Sequence, residues 1–199
     1  MRSLREEHAE ATRQAILSAA QKLFTAKGYD AAAIDEIAAA ARVTSGALYH
    51  HFANKREIMR AVFESLEAEL KDRITAASAR AKSAVEALRL TLRAFLDACL
   101  EDHIRSIVFE QAPRVLGWED WRRIDAEYAM ELLLDLLSRL RKERNMGSYD
   151  DRVMASLFLA ALAEAGLQIA LNRADAHLRR HCEKILQAFL AGVEVETRP

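Results

Sequence analysis

The sequence predicts an all-α fold, and three observations predict it. Ala, Leu, Glu, Arg and Lys dominate the 199 residues, while Gly (six) and Pro (two) are sparse, a mix that favours helix. Apolar residues recur at helical spacing over most of the chain, and no alternating run long enough for a strand interrupts them. Hydrophobic residues make up 51% of the chain, enough to bury a core in one domain or two small ones.

The elements follow in order. Ile16, Ala20, Leu23 and Phe24 make one apolar face of a helix over Thr12–Lys27, with Gly28 as its stop and a turn at Tyr29-Asp30. A short helix over Ile34–Ala40 is followed by a turn at Ala41-Arg42-Val43 and a second short helix over Thr44–His50, capped by Thr44 or Ser45. Asn54 caps a long helix over Lys55–Thr75 whose buried face is Ile58, Val62, Leu66 and Leu70. The charged, Ala/Ser-rich stretch Ala76–Lys82 is a connector. Ser83 with Glu86 is a capping-box pattern that starts a helix through about Leu100. A shorter helix over Ile104–Gln111 ends before a loop at Pro113–Gly117. A long helix covers Trp118–Arg144 and is broken at Asn145-Met146-Gly147. Ser148 to Asp151 is a further capping pattern before a helix to Asn172, and Asp175 caps the last helix, to about Val195. These last two are unusually apolar: Val153, Leu157, Phe158, Leu162, Leu167 and Ile169 on one, Leu178, Cys182, Ile185, Leu186, Phe189, Leu190 and Val193 on the other. Helices apolar on nearly every side need cover on several sides, and a second subunit is the expected source. The total is about nine helices.

Net charge is −1, so the whole chain does not advertise a polyanionic partner. Residues 1–60 carry nine basic against seven acidic residues, and the remainder twenty against twenty-three. That distribution suits a slightly basic head on an acidic body. Cys99 and Cys182 lie far apart in apolar helical patterns and do not form a disulfide framework. No apolar leader opens the chain and no stretch reaches the ~18 apolar residues of a membrane span, so a cytoplasmic protein with no membrane partner is expected. A nucleophile elbow, a phosphate-binding Gly loop and paired-Cys metal spacing are all missing, so no enzyme activity and no cofactor are expected. His50 and His51 point about 100° apart on a helix and cannot share an ion. His177 and His181 share a helix face, but no third ligand stands at a suitable spacing, so no metal site is expected.

Two short helices joined by a tight turn within residues 34–52 suggest a helix-turn-helix. Close crossing needs a small residue, and Ala38 supplies it. Ile37, Val43 and Leu48 stand where apolar anchors are required. Thr44, Ser45, Gly46, Ala47 and His50 provide the small or polar outer face that a major groove admits.

Residues 12–60 strongly resemble the N-terminal domain of TetR-family regulators. The resemblance rests on Ala26-Lys27-Gly28-Tyr29, Ile34-Asp35-Glu36-Ile37-Ala38 and Val43-Thr44-Ser45-Gly46-Ala47-Leu48-Tyr49-His50-His51-Phe52 followed by Lys55. It covers a quarter of the chain. It implies a three-helix DNA-binding domain over 1–54 and a helical ligand-binding and dimerisation domain over 55–199. It implies that Thr44 caps the recognition helix and touches phosphate, and that Ser45, Gly46 and Ala47 face base edges. By the same likeness Tyr49 and His51 bond phosphate, His50 lies near the groove wall, and Lys55 adds a phosphate contact at a helix N-terminus. Ala32 and Ala33 stand where the family usually has a Thr that caps the second helix and touches phosphate, with backbone N–H groups and Asp35 in the first turn as partial compensation. Arg42 occupies a turn position where Gly is common and is within reach of phosphate, and Ser45 replaces a frequent basic residue.

The resemblance also implies a small-molecule effector in a C-terminal cavity, for which His103, Glu110, Arg114, Trp118, Trp121 and Tyr128 are candidates; plain core packing, or a Trp-bearing surface loop near the dimer, is the competing role for these aromatics. The expected protein is a ligand-responsive repressor that binds a palindromic operator as a homodimer. Its dimer would form through Asp151–Asn172 and Asp175–Val195, with Ala161, Ala165 and Gly166 permitting close approach and Lys55–Thr75 acting as the lever between states. Two alternatives stay open: a regulator of the same fold that uses a corepressor or no ligand, and a helical enzyme or interaction module with a vestigial head.

Overall fold

The computed structural model describes residues 3–143, 150–172, 175 and 177–191, with residues 190 and 191 described by backbone alone. In chain order they form α1 (Leu4–Ala31), α2 (Ile34–Ala40), α3 (Ser45–His51), α4 (Lys55–Ser78), α5 (Ala84–Ala98), a π-helix (Ile104–Gln111), α6 (Ala112–Leu116), α7 (Trp118–Glu143), α8 (Asp151–Leu171) and α9 (Leu178–Ala191), with no strand among the described residues. The expected break at Asn145-Met146-Gly147, the Ser148 cap, the Leu190 and Val193 side chains and the helix end at Val195 lie outside the described residues.

Local chemistry explains most boundaries. The first helix starts at Leu4 rather than Thr12, because Ser3 and Glu6 form a reciprocal capping box: Ser3 N–H donates to Glu6 Oε2 at 2.8 Å and Glu6 N–H to Ser3 Oγ at 3.3 Å. Gly28, at φ 82°, interrupts α1, and one further turn carries the chain to Ala31. Asn54 caps α4 by accepting from Glu57 N–H at 2.9 Å. Ser83 caps α5 by accepting from Glu86 N–H, but the Glu86 carboxylate reaches Lys82 N–H at 2.8 Å instead of closing the box. Asp175 accepts from His177 and Leu178 N–H groups ahead of α9.

The expected loop at Pro113–Gly117 is instead helical. Pro113 falls in the first turn of α6, a position that suits its fixed φ, and Gly117 at φ 83° ends that helix. The helix expected over Ile104–Gln111 keeps those bounds but has π geometry. A five-residue step would place the residue 113 N–H on the Val108 carbonyl, and proline has none. Trp121 Nε1–H takes that carbonyl, at 2.8 Å.

The chain divides into two compact units. The first combines Met1–Leu66 with Asp102–Trp121, so the π-helix and α6 pack with the head. Ile16, Phe24, Ile37, Leu48, Ile58 and Phe63 fill its core. Gln111 ties it together: its side-chain N–H donates to Phe24 O at 3.1 Å, and its oxygen accepts from Tyr29 N–H at 2.7 Å. Arg56 and Arg60 both reach Asp120, and Arg56 also donates to the Leu116 carbonyl at 2.9 Å.

The second unit holds Glu67–Glu101 and Arg122–Pro199. Leu92, Leu96, Leu133, Phe158, Leu162 and Ile169 are buried there. Arg179 of α9 bridges to Asp97 of α5 at 2.7 Å and to Glu183 at 2.5 Å. Helix α8 is, against expectation, long and apolar enough to cross a membrane, but 56% of its most apolar window is buried within the protein. Ala165 and Gly166 are likewise buried inside the protomer, so their small size serves packing within the unit rather than approach by a partner.

Two acids of this unit, buried Glu67 and half-buried Asp125, have raised pKa values. Burial, with the Asp125 charge nearby, pushes the Glu67 carboxyl well above the ordinary range, and burial raises Asp125 to about 7 against an Arg122 charge that lowers it. An acid whose folded value is raised favours the native state at low pH and loses that advantage as pH rises through the folded value. Stability should therefore fall between about pH 4 and 7. Asp125→Asn should flatten part of that fall and raise the melting temperature at pH 8 by at least ~2–4 °C, the equivalent of about 1 kcal/mol. Thermal melts of both proteins across pH 5–8 check this; parallel curves would contradict it.

Candidate nucleic-acid interface

Helices α2 and α3 with the turn between them form the geometry expected of a helix-turn-helix, and α1 supports them. Ala38 is buried at the crossing, Ile37 is fully buried, and Val43 is half-buried in the turn. The Val43 N–H donates to Ala38 O at 3.0 Å and the Arg42 N–H to Ala39 O at 3.1 Å, the two bonds of a Schellman ending. That ending needs a left-handed residue, and Arg42 supplies it at φ 59°. A side chain there costs roughly 1 kcal/mol relative to glycine. Arg42→Gly should raise stability by about 0.5–1 kcal/mol, read by urea denaturation. No gain would mean that the exposed arginine makes compensating contacts.

Thr44 caps α3, its hydroxyl accepting from Ala47 N–H at 3.1 Å. Leu48 and Phe52, four apart, are buried and anchor the helix from beneath. The outward face then carries Gly46, Tyr49 (51% exposed) and His50, with Ala47 and His51 half-buried. The His50 and His51 rings sit edge to face at 5.7 Å. Ser45 is held from the side, its hydroxyl donating to Asp35 Oδ1 at 2.7 Å.

Asp35 is therefore not what compensates the missing cap of α2. Glu36 does so, its carboxylate accepting from Ala33 N–H at 2.9 Å while ion-paired to Lys27. Those two donors hold the Glu36 carboxyl below its usual range. Lys55 has a role that no local signal announced. Its ammonium donates to the carbonyls of Tyr29 (2.8 Å), Ala32 (3.1 Å) and Asp30 (3.4 Å) and lies 4.4 Å from the Tyr29 ring centroid. It clamps the α1–α2 junction to the start of α4. Arg13 lies over the Phe52 ring at 5.4 Å.

The six ligand candidates divide between the two units. His103, Glu110, Arg114, Trp118 and Trp121 belong to the first unit and Tyr128 to the second. Trp121 is a core residue, 1% exposed, stacked on Phe63 and Trp118. Glu110 pairs with Arg105 at 3.0 Å, and Arg114 with Asp30 of α1 at 2.9 Å. Trp118 is largely exposed, whereas His103 and Tyr128 are half-buried. No group of three or more His, Cys, Asp or Glu side chains that could hold a metal ion occurs among the described residues.

Residues 16–62 match the family of bacterial regulatory proteins of the tetR type, and residues 85–193 match the tetracyclin repressor-like C-terminal domain, more than half of the chain. The chain is 29% identical to the transposon Tn10 TetC protein of Escherichia coli over 152 residues, 76% of this chain and 77% of that one. It is 29% identical over 153 residues to the HTH-type transcriptional repressor Rv1474c of Mycobacterium tuberculosis, 77% of each. A solved structure of a TetR-family transcriptional regulator from Pectobacterium atrosepticum superposes with a TM-score of 0.83 at 33% identity, covering 99% of this chain and 100% of that one.

Proposed function

The chain belongs to the TetR family of DNA-binding transcriptional regulators, and from that membership we propose that it is a ligand-responsive repressor that grips a palindromic operator as a homodimer. The observation that carries the reading is the outer face of α3. The helix is capped by Thr44, anchored by Leu48 and Phe52, and turns Gly46, Tyr49 and His50 outward. Gly46 and Ala47 leave room for base edges, with Ser45 beside them, its orientation set by Asp35. Thr44, Tyr49 and His51 are proposed to bond phosphate oxygens, Arg42 to reach the backbone from the turn, and His50 to line the groove wall. Lys55 contributes by fixing the N-terminus of α4, whose dipole favours phosphate, while its ammonium holds the head together. Residues 1–54 carry the DNA contacts in this reading, and the rest of the chain serves ligand uptake and dimerisation in the cytoplasm.

Helices α8 and α9 support the dimer. Val153, Leu157 and Leu171 of α8 and Ile185 and Phe189 of α9 are exposed large apolar side chains. On α8 they fall on one stripe, beside half-buried Ala161, at i, i+4 and i+18.

Selection of bound duplexes from a random pool with purified protein tests the function. A pseudo-palindrome with half-sites about one turn, ~34–36 Å, apart is expected. Tyr49→Ala should weaken binding about tenfold across sequences while leaving the salt slope nearly unchanged, because the phenol carries no charge. A protein with no sequence preference and no salt-dependent affinity would sink the proposal.

A further inference from the structure

The hydrogen bond between Ser45 and Asp35 fixes more than an orientation. Ser45 is the first residue of α3, and the N-terminal residues of a recognition helix are the ones that meet base edges. It shares a stripe with exposed Tyr49, four residues on, and stands next to exposed Gly46. Nothing within the fold requires glycine at 46. Its φ is not positive, and, chain neighbours aside, a Cβ added there would meet nothing closer than Thr44 Oγ1, at 3.9 Å. A glycine weakens a helix relative to alanine, so its use at this position lies in what approaches from outside. The gap leaves the Ser45 hydroxyl open on that face.

Chemistry settles the direction of the bond. A serine hydroxyl has one proton and two lone pairs, whereas a carboxylate only accepts. At 2.7 Å the Ser45 proton is therefore committed to Asp35 Oδ1, in a bond strengthened by the carboxylate charge. What remains on Ser45 Oγ is its lone pairs, and Asp35 sets further lone pairs beside them. The two side chains form a patch that accepts hydrogen bonds and donates none. A serine without such a partner serves either base edge, because its hydroxyl can turn. In the major groove the donors are the exocyclic amines, N6 of adenine and N4 of cytosine, while guanine and thymine present acceptors. Each base pair carries one such amine, so an acceptor-only patch does not separate A·T from G·C. It selects the strand on which the amine stands.

We propose that Asp35 is a positioning residue that makes Ser45 an obligate acceptor, so that each half-site carries an amino base, adenine or cytosine, under Ser45 and rejects guanine and thymine there. The inference rests on the proposed operator-binding reading and adds a rule for one of its bases. A guanine or thymine sets its own lone pairs against those of Ser45 and Asp35, or must draw the proton away from the carboxylate. Either costs about tenfold in affinity, the scale of a mismatched base pair.

The test is selection from a random duplex pool with the full chain, followed by titration of the best operator and its single-base variants. The parent should show one position per half-site at which A or C binds about tenfold more tightly than G or T. Ser45→Ala should erase the preference at that position and leave the others in place, whereas Ser45→Thr, which keeps a hydroxyl, should retain it. Asp35→Ala should bring the preference below about threefold, because the freed hydroxyl can donate. Asp35→Asn, which sets amide N–H donors beside the hydroxyl, should do the same. Both Asp35 variants remove a negative charge, so affinity for the best operator should not fall while discrimination does. A merely structural role for Asp35 would instead lower affinity for every duplex alike. A preference unchanged in Asp35→Ala, or guanine or thymine at the position that Ser45→Ala erases, overturns the inference. So does a preference lost in Asp35→Ala but kept in Ser45→Ala, which would make Asp35 itself the base contact. A specific operator in which no position responds to Ser45→Ala overturns it as well and leaves the DNA-binding reading standing, whereas a parent with no sequence preference removes both.

Discussion

Trp121→Ala is expected to destabilise the protein by about 3–5 kcal/mol, the range for removing a large aromatic side chain from a close-packed core. The indole is 1% exposed. It lies parallel to Phe63 at 6.4 Å and meets the edge of Phe109 at 6.5 Å. Its Nε1–H also satisfies the Val108 carbonyl, which Pro113 cannot serve. Truncation therefore opens a cavity and leaves a buried acceptor unpaired, a further cost of about 1 kcal/mol or more. Trp121→Phe keeps the stacking and loses only the hydrogen bond, so it should recover most of the stability. Urea denaturation of the three proteins measures the order. A change under ~0.5 kcal/mol in the alanine variant would show that the indole does not pin the π-helix.

The second large effect is expected on assembly. Leu157→Glu with Ile185→Glu should yield a folded monomer whose operator affinity is at least ~100-fold below the parent's. Both side chains are exposed in the protomer, 59% and 68%. Charging them leaves the protomer core intact but puts like charges into the proposed interface. A two-headed protein binds its second half-site at an effective concentration near millimolar, an advantage of 10²–10⁴ that a monomer loses. Sedimentation gives the oligomeric state, circular dichroism the fold, and operator titration the affinity. A double variant that stays dimeric would move the interface away from α8 and α9.

Much of the head was legible because its determinants are local. Ile34–Ala40 keeps its expected bounds, and Thr44, Asn54, Ser83 and Asp175 cap the helices they were expected to cap. A cap or a left-handed turn residue acts within about four positions, so its signal sits in adjacent letters. The capping box at Ser3 and Glu6 was equally local and was overlooked, since the apolar periodicity starts later, at Ile16. Glu67 was missed for a different reason. A glutamate reads as solvent-facing, but its spacing from Phe63 and Leu70 places it on the apolar stripe, and that signal was present. Asp125, four after Trp121, offered a similar one.

The sequence by itself determined the all-α class, the helix-turn-helix and its outward residues, and two terminal helices too apolar to stand uncovered. Periodicity, capping and turn chemistry are short-range, and they suffice for elements. The tertiary structure decided which partner each polar side chain takes. Gln111 reaches Phe24 across 87 residues, Lys55 reaches Tyr29 across 26, and Arg56 reaches Leu116 across 60. It also turned Trp121 from a candidate ligand contact into a core residue and drew the π-helix into the unit that holds the reading head. Burial and satisfaction of polar groups depend on what packs above them, and no window of a few residues contains that information.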